Sequence, residues 1–340
     1  MYLEKLTAIP GVSGDEGNVR QFIYVTIKDV VDEAMVDSIG NLYCIKRGTG
    51  ETSQKVMLAA HMDEVGLIVT KISDDGFLKF QSVGGIDPRV MISKKVCIGK
   101  KGVPGVIGAK AIHLQKKSER KSLPKETDLY IDIGAKDKES AETMVSLGDY
   151  CVFDSTYTRF GDGFIKAKAL DDRVGCAIMM QLALTNKTYP YDLYFVFTVQ
   201  EEVGTRGARI AANRIGADVA LILEGTTCSD VYGSEKKDYS TCAGSGAALS
   251  MIDRGTYYDK ALVLALYETA KRYKIPVQFK KTATGGNDAA AIHLSEGGVK
   301  CAAISVPARY IHSPSSVIHQ TDYKAVYDLV DIFLQEGITL

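Results

Sequence analysis

From Gly163 onward the chain alternates short apolar runs with segments of helical period, which restricts it to a few architectures. The period predicts helices over 172–186, 208–214, 258–273, 289–294 and 322–335. Between them fall strands at 191–199, 218–223, 277–281 and 301–306. Apolar strands linked by helices bury both faces of a sheet, so the expected fold is α/β, a mostly parallel sheet sandwiched by helices. Upstream, Leu42–Lys46, Val56–Ala60 and Gly66–Ile72 read as further strands. Ser13-Gly14-Asp15-Glu16 fits a capping box opening a helix, with Val19, Phe22, Ile23, Ile27, Val30 and Val31 as its apolar stripe.

The texture changes between residues 67 and 162. Helical period disappears, and short β-type runs at 77–80, 96–98, 102–107, 129–133 and 149–153 alternate with glycine turns. This stretch is expected to be a small β-rich domain, 67–162, inserted into a larger unit made of 1–66 and 163–340. Its loop 115–127 carries Lys116, Lys117, Arg120, Lys121 and Lys125 against Glu119 and Glu126, and reads as a solvated loop.

Charge excludes some functions. Lys and Arg total 41 against 42 Asp and Glu, for a net charge of -1, so the basic footprint of a nucleic-acid binder is missing. The longest apolar stretches, 176–184 and 261–267, fall short of the ~20 residues of a membrane span. The start, Met1-Tyr2-Leu3-Glu4-Lys5, does not look like an export signal, and the seven cysteines, scattered without a CxxC pair, read as free thiols. A cytoplasmic protein is expected.

In an open α/β sheet the functional crevice lies beyond the carboxyl ends of the strands. Here those ends carry His61-Met62-Asp63-Glu64, Gln200-Glu201-Glu202, Glu224 and, after a short lead, His312; Asp171-Asp172 opens a helix on the same rim. Each piece alone has a plainer reading. Glu201-Glu202 also fits a solvated turn, and Asp171-Asp172 an N-cap with an acidic first turn. Together, acids and imidazoles converging on one crevice repel one another unless cations neutralise them. Histidine and carboxylate without cysteine suit Zn²⁺, Co²⁺ or Mn²⁺, and one aspartate can bridge two such ions. In the glutamate pair, one member can bind metal while its neighbour stays free as a general base.

The segments His61-Met62-Asp63-Glu64-Val65-Gly66, Ala169-Leu170-Asp171-Asp172-Arg173-Val174-Gly175, Gln200-Glu201-Glu202-Val203-Gly204 and Ile311-His312-Ser313-Pro314, with Gly285-Gly286-Asn287-Asp288-Ala289, resemble the dinuclear metalloaminopeptidases of the tetrahedral, TET type. These include glutamyl and deblocking aminopeptidases, and some relatives are described as endoglucanases. The resemblance spans nearly the whole chain. It implies a zinc-peptidase-like fold and two divalent ions per subunit, one held by His61, Asp171 and Glu224, the other by Asp171, Glu202 and His312. Glu201 then falls on the general base, Asp63 on the carboxylate that orients His61, and the Asp171-Asp172 peptide is expected to be cis. Two positions depart from the pattern: Glu224 stands where many relatives have aspartate, and Asn287 where threonine is usual.

The implied activity is removal of N-terminal residues from peptides with a free N-terminus, by a two-metal mechanism with a bridging water. Rival readings are a metal-dependent deacylase or carboxypeptidase, an endoglucanase, or a scaffold without activity. The resemblance also implies dimers formed through the β-barrel-like insert and assembled into a hollow tetrahedral dodecamer. Among the remaining residues, His113 and His293 read as packing histidines, His319 as a structural or cap residue, and Cys228 as a bystander. Asp288 reads either as a substrate contact or as the N-cap of the following helix.

Overall fold

In the computed structural model, which describes residues 2–50 and 53–338, four apolar strands lie side by side and parallel. Their order is Asp192–Thr198, Lys55–His61, Val219–Thr227, Lys300–Arg309. Every residue from Val56 to His61 is buried, which requires cover on both faces of the sheet. Helices Leu170–Ala183 and Gln320–Glu336 pack on the sheet and on each other, while Arg206–Ile215 and Ala289–Ile292 form another packed pair. Antiparallel strands extend both edges, through Leu42–Lys46 and Glu33–Val36 on one side and Ser316–His319, Phe164–Ala167 and Thr158–Phe160 on the other. The fold is the expected α/β type, with a parallel centre and antiparallel margins.

A second, smaller unit is built from six antiparallel strands closed into a barrel: Gly66–Ile72, Leu78–Val83, Tyr130–Asp132, Val103–Gly108, Lys95–Ile98 and Tyr150–Phe153, in spatial order. Leu67, Leu78, Val96, Ile98, Ile107 and Ile131 fill it and form a core separate from that of the sheet. Closure removes exposed strand edges, so a short chain segment sustains a stable β unit.

Several local expectations change. The strand expected to stop at Leu223 continues to Thr227, because Lys300–Arg309 pairs with it as far as Ala308. The insert contains a helix, Lys138–Met144, opened by a capping box between Asp137 and Ser140. The first amphipathic helix, Gly17–Ile27, receives no side-chain cap, and the expected box at 13–16 does not form. Ser13 and Glu16 bond elsewhere, as described below. Val30 falls in a short 3-10 turn and is exposed. His113 is exposed rather than packed, on the turn Ile112–Leu114. His319 caps the last helix, its ring accepting from Thr321 N at 3.3 Å. Asp288 makes no cap hydrogen bond; its Oδ2 accepts from Thr198 Oγ1 at 2.5 Å. Among the described residues no helix is long and apolar enough to cross a membrane, and all seven cysteines are free.

Candidate metal centre

The parallel strands end on one edge, and their register decides what stands there. Thr198 pairs with His61, and Ile222 lies opposite Ala59, which sets Glu224 level with His61 and on the same face. Glu201 and Glu202 follow Thr198 in the next turn, and His312 follows the strand that ends at Arg309. Asp171 enters at the start of the Leu170–Ala183 helix, which packs across these strands, most closely on Lys55–His61 and Val219–Thr227. The Asp171-Asp172 peptide is cis. Three of the turns involved hold a non-glycine residue in the left-handed region: Ala169 (φ 53°), Gln200 (φ 56°) and His312 (φ 57°). Such residues cost about 1 kcal/mol or more each and persist only where their surroundings hold them.

Asp171 stands between two imidazoles. Its Oδ1 is 3.3 Å from His61 Nε2 and its Oδ2 is 3.5 Å from His312 Nε2. Glu224 Oε1 lies 3.2 Å from the same His61 nitrogen, and Glu202 Oε2 3.1 Å from that of His312. The far ring nitrogens are already engaged. His61 Nδ1 faces the Asp63 carbonyl at 3.0 Å, and His312 Nδ1 faces the Gly85 carbonyl at 3.0 Å. A carbonyl only accepts, so each Nδ1 is the donor, and a neutral ring then turns its Nε2 lone pair toward the carboxylates.

This leaves acceptors facing acceptors, and the donor set fits cations. The atoms offered by His61, Asp171 and Glu224 lie within 4.8 Å of one another, as do those of Asp171, Glu202 and His312. Asp171 Oδ1, Glu202 Oε1 and Glu224 Oε2 are buried without a hydrogen-bond partner, a costly state unless something else binds them. Histidine and carboxylate donors of this kind suit Zn²⁺, Co²⁺ or Mn²⁺.

The electrostatics agree. Burial raises Glu224 well above the ordinary carboxylate range, and raises Glu202 as well. Burial works against charge on Asp171 too, yet the flanking His312 and His61 hold it below that range. Burial likewise opposes a charged His312, but Asp171 and Glu202 carry it up to about 11. Without another cation, the imidazoles themselves supply the positive charge. Burial, reinforced by Glu224, Asp288 and Glu202, pushes Glu201 up to about 10.

Asp63, fully buried, does more than face His61. Its carboxylate stands 3.4 Å from His61 Nδ1, farther than its own carbonyl. Its hydrogen bonds instead come from Glu201 N (3.0 Å), Glu202 N (3.1 Å) and Ser13 Oγ (2.6 Å). The barrel also reaches the site. A cleft beside Asp171, Glu202 and His312 is walled by Val65 and Phe153, and the Gly85 carbonyl belongs to the connection between the barrel strands Leu78–Val83 and Lys95–Ile98. Gly84 makes that approach possible: it adopts φ 84°, and a Cβ there would lie 2.8 Å from Val65 and 3.3 Å from Glu202.

Sequence reasoning assigned no site role to Asp172, Ser13, Glu16 or Gly85. Asp172 is buried and accepts from His61 N at 3.2 Å and Gly175 N at 3.0 Å, fixing the strand end to the helix start. The acidic pair is the available signal for Asp172; Ser13 and Glu16 are hidden by their likeness to a capping box, and Gly85 lies in a segment with no motif of its own. Cys228 bonds to Asp230 and Thr241, apart from the centre.

Residues 40–329 match the family described as M42 glutamyl aminopeptidase. A lysyl aminopeptidase of Pyrococcus furiosus is 31% identical over 98% of this chain and 96% of its own. The structure of aminopeptidase APDkam598 from Desulfurococcus kamchatkensis superposes with a TM-score of 0.94 at 36% identity, covering 98% of this chain and 94% of that one. The TET1 peptidase of Pyrococcus horikoshii, described as assembling into a tetrahedron or a large octahedral shell, gives 0.86 at 34% identity over 99% of both chains. The order and spacing of the rim segments, the barrel between them and these likenesses converge: the chain belongs to the M42 glutamyl aminopeptidase family.

Proposed function

We propose that this chain is a metal-dependent aminopeptidase acting on peptides with a free N-terminus. In this reading His61, Asp171 and Glu224 hold one divalent cation and Asp171, Glu202 and His312 a second. Zn²⁺, Co²⁺ or Mn²⁺ bound there would supply Lewis-acid activation of water and of the scissile carbonyl. The observation that carries the reading is Asp171, with one carboxylate oxygen turned to each imidazole.

Glu201 is the general base. It sits beside the centre on a turn whose amide is held by Asp63; its carboxylate also lies within 4.8 Å of the ligand atoms of His61 and Glu202, close enough to face a bound cation, and we assign it the unligated role. Glu201 takes a proton from the attacking water and returns it to the departing amine. Burial and the neighbouring carboxylates raise its pKa in the absence of a cation, and cations bound beside it would lower it again toward the carboxylate form that accepts the proton. Asp63 keeps the Glu201-Glu202 backbone in place, and the Asp63 and Gly85 carbonyls fix the two imidazole rings. We further propose that residues 67–162 form the dimerisation domain, that dimers build a closed tetrahedral shell, and that the protein works in the cytoplasm, a setting that fits seven free thiols.

The test is Glu201→Gln. Turnover of aminoacyl-p-nitroanilides should fall by ~10²–10⁴, the contribution of a positioned general base, with bound metal per chain unchanged. A Gln variant of full activity sinks the assignment. N-acylated amino acids and carboxymethylcellulose in the same assay separate the deacylase and endoglucanase alternatives, which should show no turnover.

A further inference from the structure

Residues 9–16 run as a strap along the catalytic rim, upstream of the matched segment, and they are anchored at one end. The fully buried Arg173 guanidinium donates to the carbonyls of Ile9 (3.0 Å) and Gly11 (3.5 Å). Glu64, salt-bridged to Lys168 at 2.6 Å, accepts from Gly11 N at 3.2 Å and donates its own N–H to Gly11 O at 2.9 Å. This anchor involves neither Ser13 nor Glu16.

Past the anchor the strap turns its side chains to the catalytic turn. Ser13 Oγ donates to Asp63 Oδ2 at 2.6 Å, and Asp63 in turn accepts from Glu201 N and Glu202 N. Glu16 Oε1 accepts from Gly14 N at 2.8 Å and from Gln200 N at 3.1 Å. Three successive amides, those of Gln200, Glu201 and Glu202, therefore end on two buried carboxylates. Gln200 is also the residue of this turn in the left-handed region, a conformation that must be held from outside. Glu16 gives up capping the helix that starts beside it in order to hold the turn. It is 3% exposed, and burial raises its pKa, so keeping a carboxyl there costs stability that a helix cap would not demand.

We propose that Ser13 and Glu16 are positioning residues for the reaction: they fix the Gln200–Glu202 turn, Ser13 through Asp63, and so set where the Glu201 carboxylate stands. The inference rests on the reading of Glu201 as the base. A small displacement of a catalytic group lowers the rate without weakening substrate binding, so the effect belongs in kcat.

Ser13→Ala and Glu16→Ala are assayed in the cobalt-loaded enzyme against the aminoacyl-p-nitroanilide it turns over best. Each should lower kcat about 10-fold with KM changed less than twofold, since one lost support shifts the group by a fraction of an ångström. Bound Co²⁺ per chain should stay constant, and amide hydrogen exchange should quicken in the peptide spanning 199–203. Glu16→Gln, whose carbonyl oxygen still accepts both amides, should recover most of the loss. Wild-type kcat in both Ala variants overturns the proposal, as does a loss accompanied by missing Co²⁺ or by unchanged exchange in that peptide. Glu201→Gln in the same assay separates the two claims. If it is inactive while the Ala variants are normal, only the positioning role falls; if it is active, the reading of Glu201 falls.

Discussion

The rim of the large sheet and the interior of the barrel solve opposite problems within one chain. Inside the barrel, Leu67, Leu78, Ile98, Ile107 and Ile131 pack against one another, and among the described residues no polar or charged side chain between Gly66 and Phe153 is buried. The rim buries His61, Asp63, Asp172, Glu224 and Asp288 at the edge of an apolar sheet. Burying apolar surface stabilises by roughly 25 cal/mol per Å², whereas burying unpaired carboxylates destabilises. The barrel therefore contributes stability, and the rim draws on the stability of the sheet beneath it. Substitutions in the two places should fail in different ways.

The largest effect is expected at Asp171. Asp171→Asn removes the charge shared by both halves of the centre, so turnover should vanish and metal analysis should show both ions lost. Retention of either ion at full occupancy contradicts a shared ligand. In the barrel, Ile131→Ala should destabilise by ~2–5 kcal/mol, the usual cost of emptying a packed core position. Denaturant titration would measure it, and the folded fraction should keep kcat within about twofold. A large kcat loss there erases the contrast.

Chelation gives a subtler result. In the metal-free protein burial holds Glu202, Glu224 and Asp172 above their ordinary range and pushes Glu201 up to about 10. Each therefore gives up its proton at a higher pH in the folded state than in the unfolded chain, where release comes near pH 4 to 4.5. Such groups make stability fall as pH rises from there through the folded values. The Tm of chelated protein should therefore drop between pH 6 and 8, while metal-loaded protein stays nearly flat, because bound cations would take the place of those protons. Parallel curves would mean the carboxylates do not share a cation-dependent site. The smallest effect belongs to the barrel surface. Lys138 and Glu142, 3.8 Å apart on one helix face and about half exposed, form a pair worth ~0.5 kcal/mol or less, so Lys138→Ala should barely move the denaturation midpoint.

How much of this was legible in the sequence follows from the same contrast. Strand–helix alternation sets the sheet, because the apolar period is a local record of which faces are covered, and Leu42–Lys46 and Gly66–Ile72 appear with the bounds expected. The convergence of His61, Asp171, Glu202, Glu224 and His312 is legible because strand ends carry them and family motifs frame them. Other features depend on contacts made far along the chain. The extension of the Glu224 strand to Thr227 is dictated by its partner strand, and no local pattern encodes it. Ser13 and Glu16 look like a helix cap in sequence. They are diverted because Asp63 and the Gln200 amide, distant in the chain, present buried groups that would otherwise lack partners.

The hydrogen bond between the Gly85 carbonyl and the His312 ring has a consequence for the molecule's architecture. The barrel is not a detachable accessory that could be trimmed to leave a smaller working hydrolase. Excising it would free one imidazole to swivel, so shortening the chain to its sheet unit disarms it even if that unit still folds.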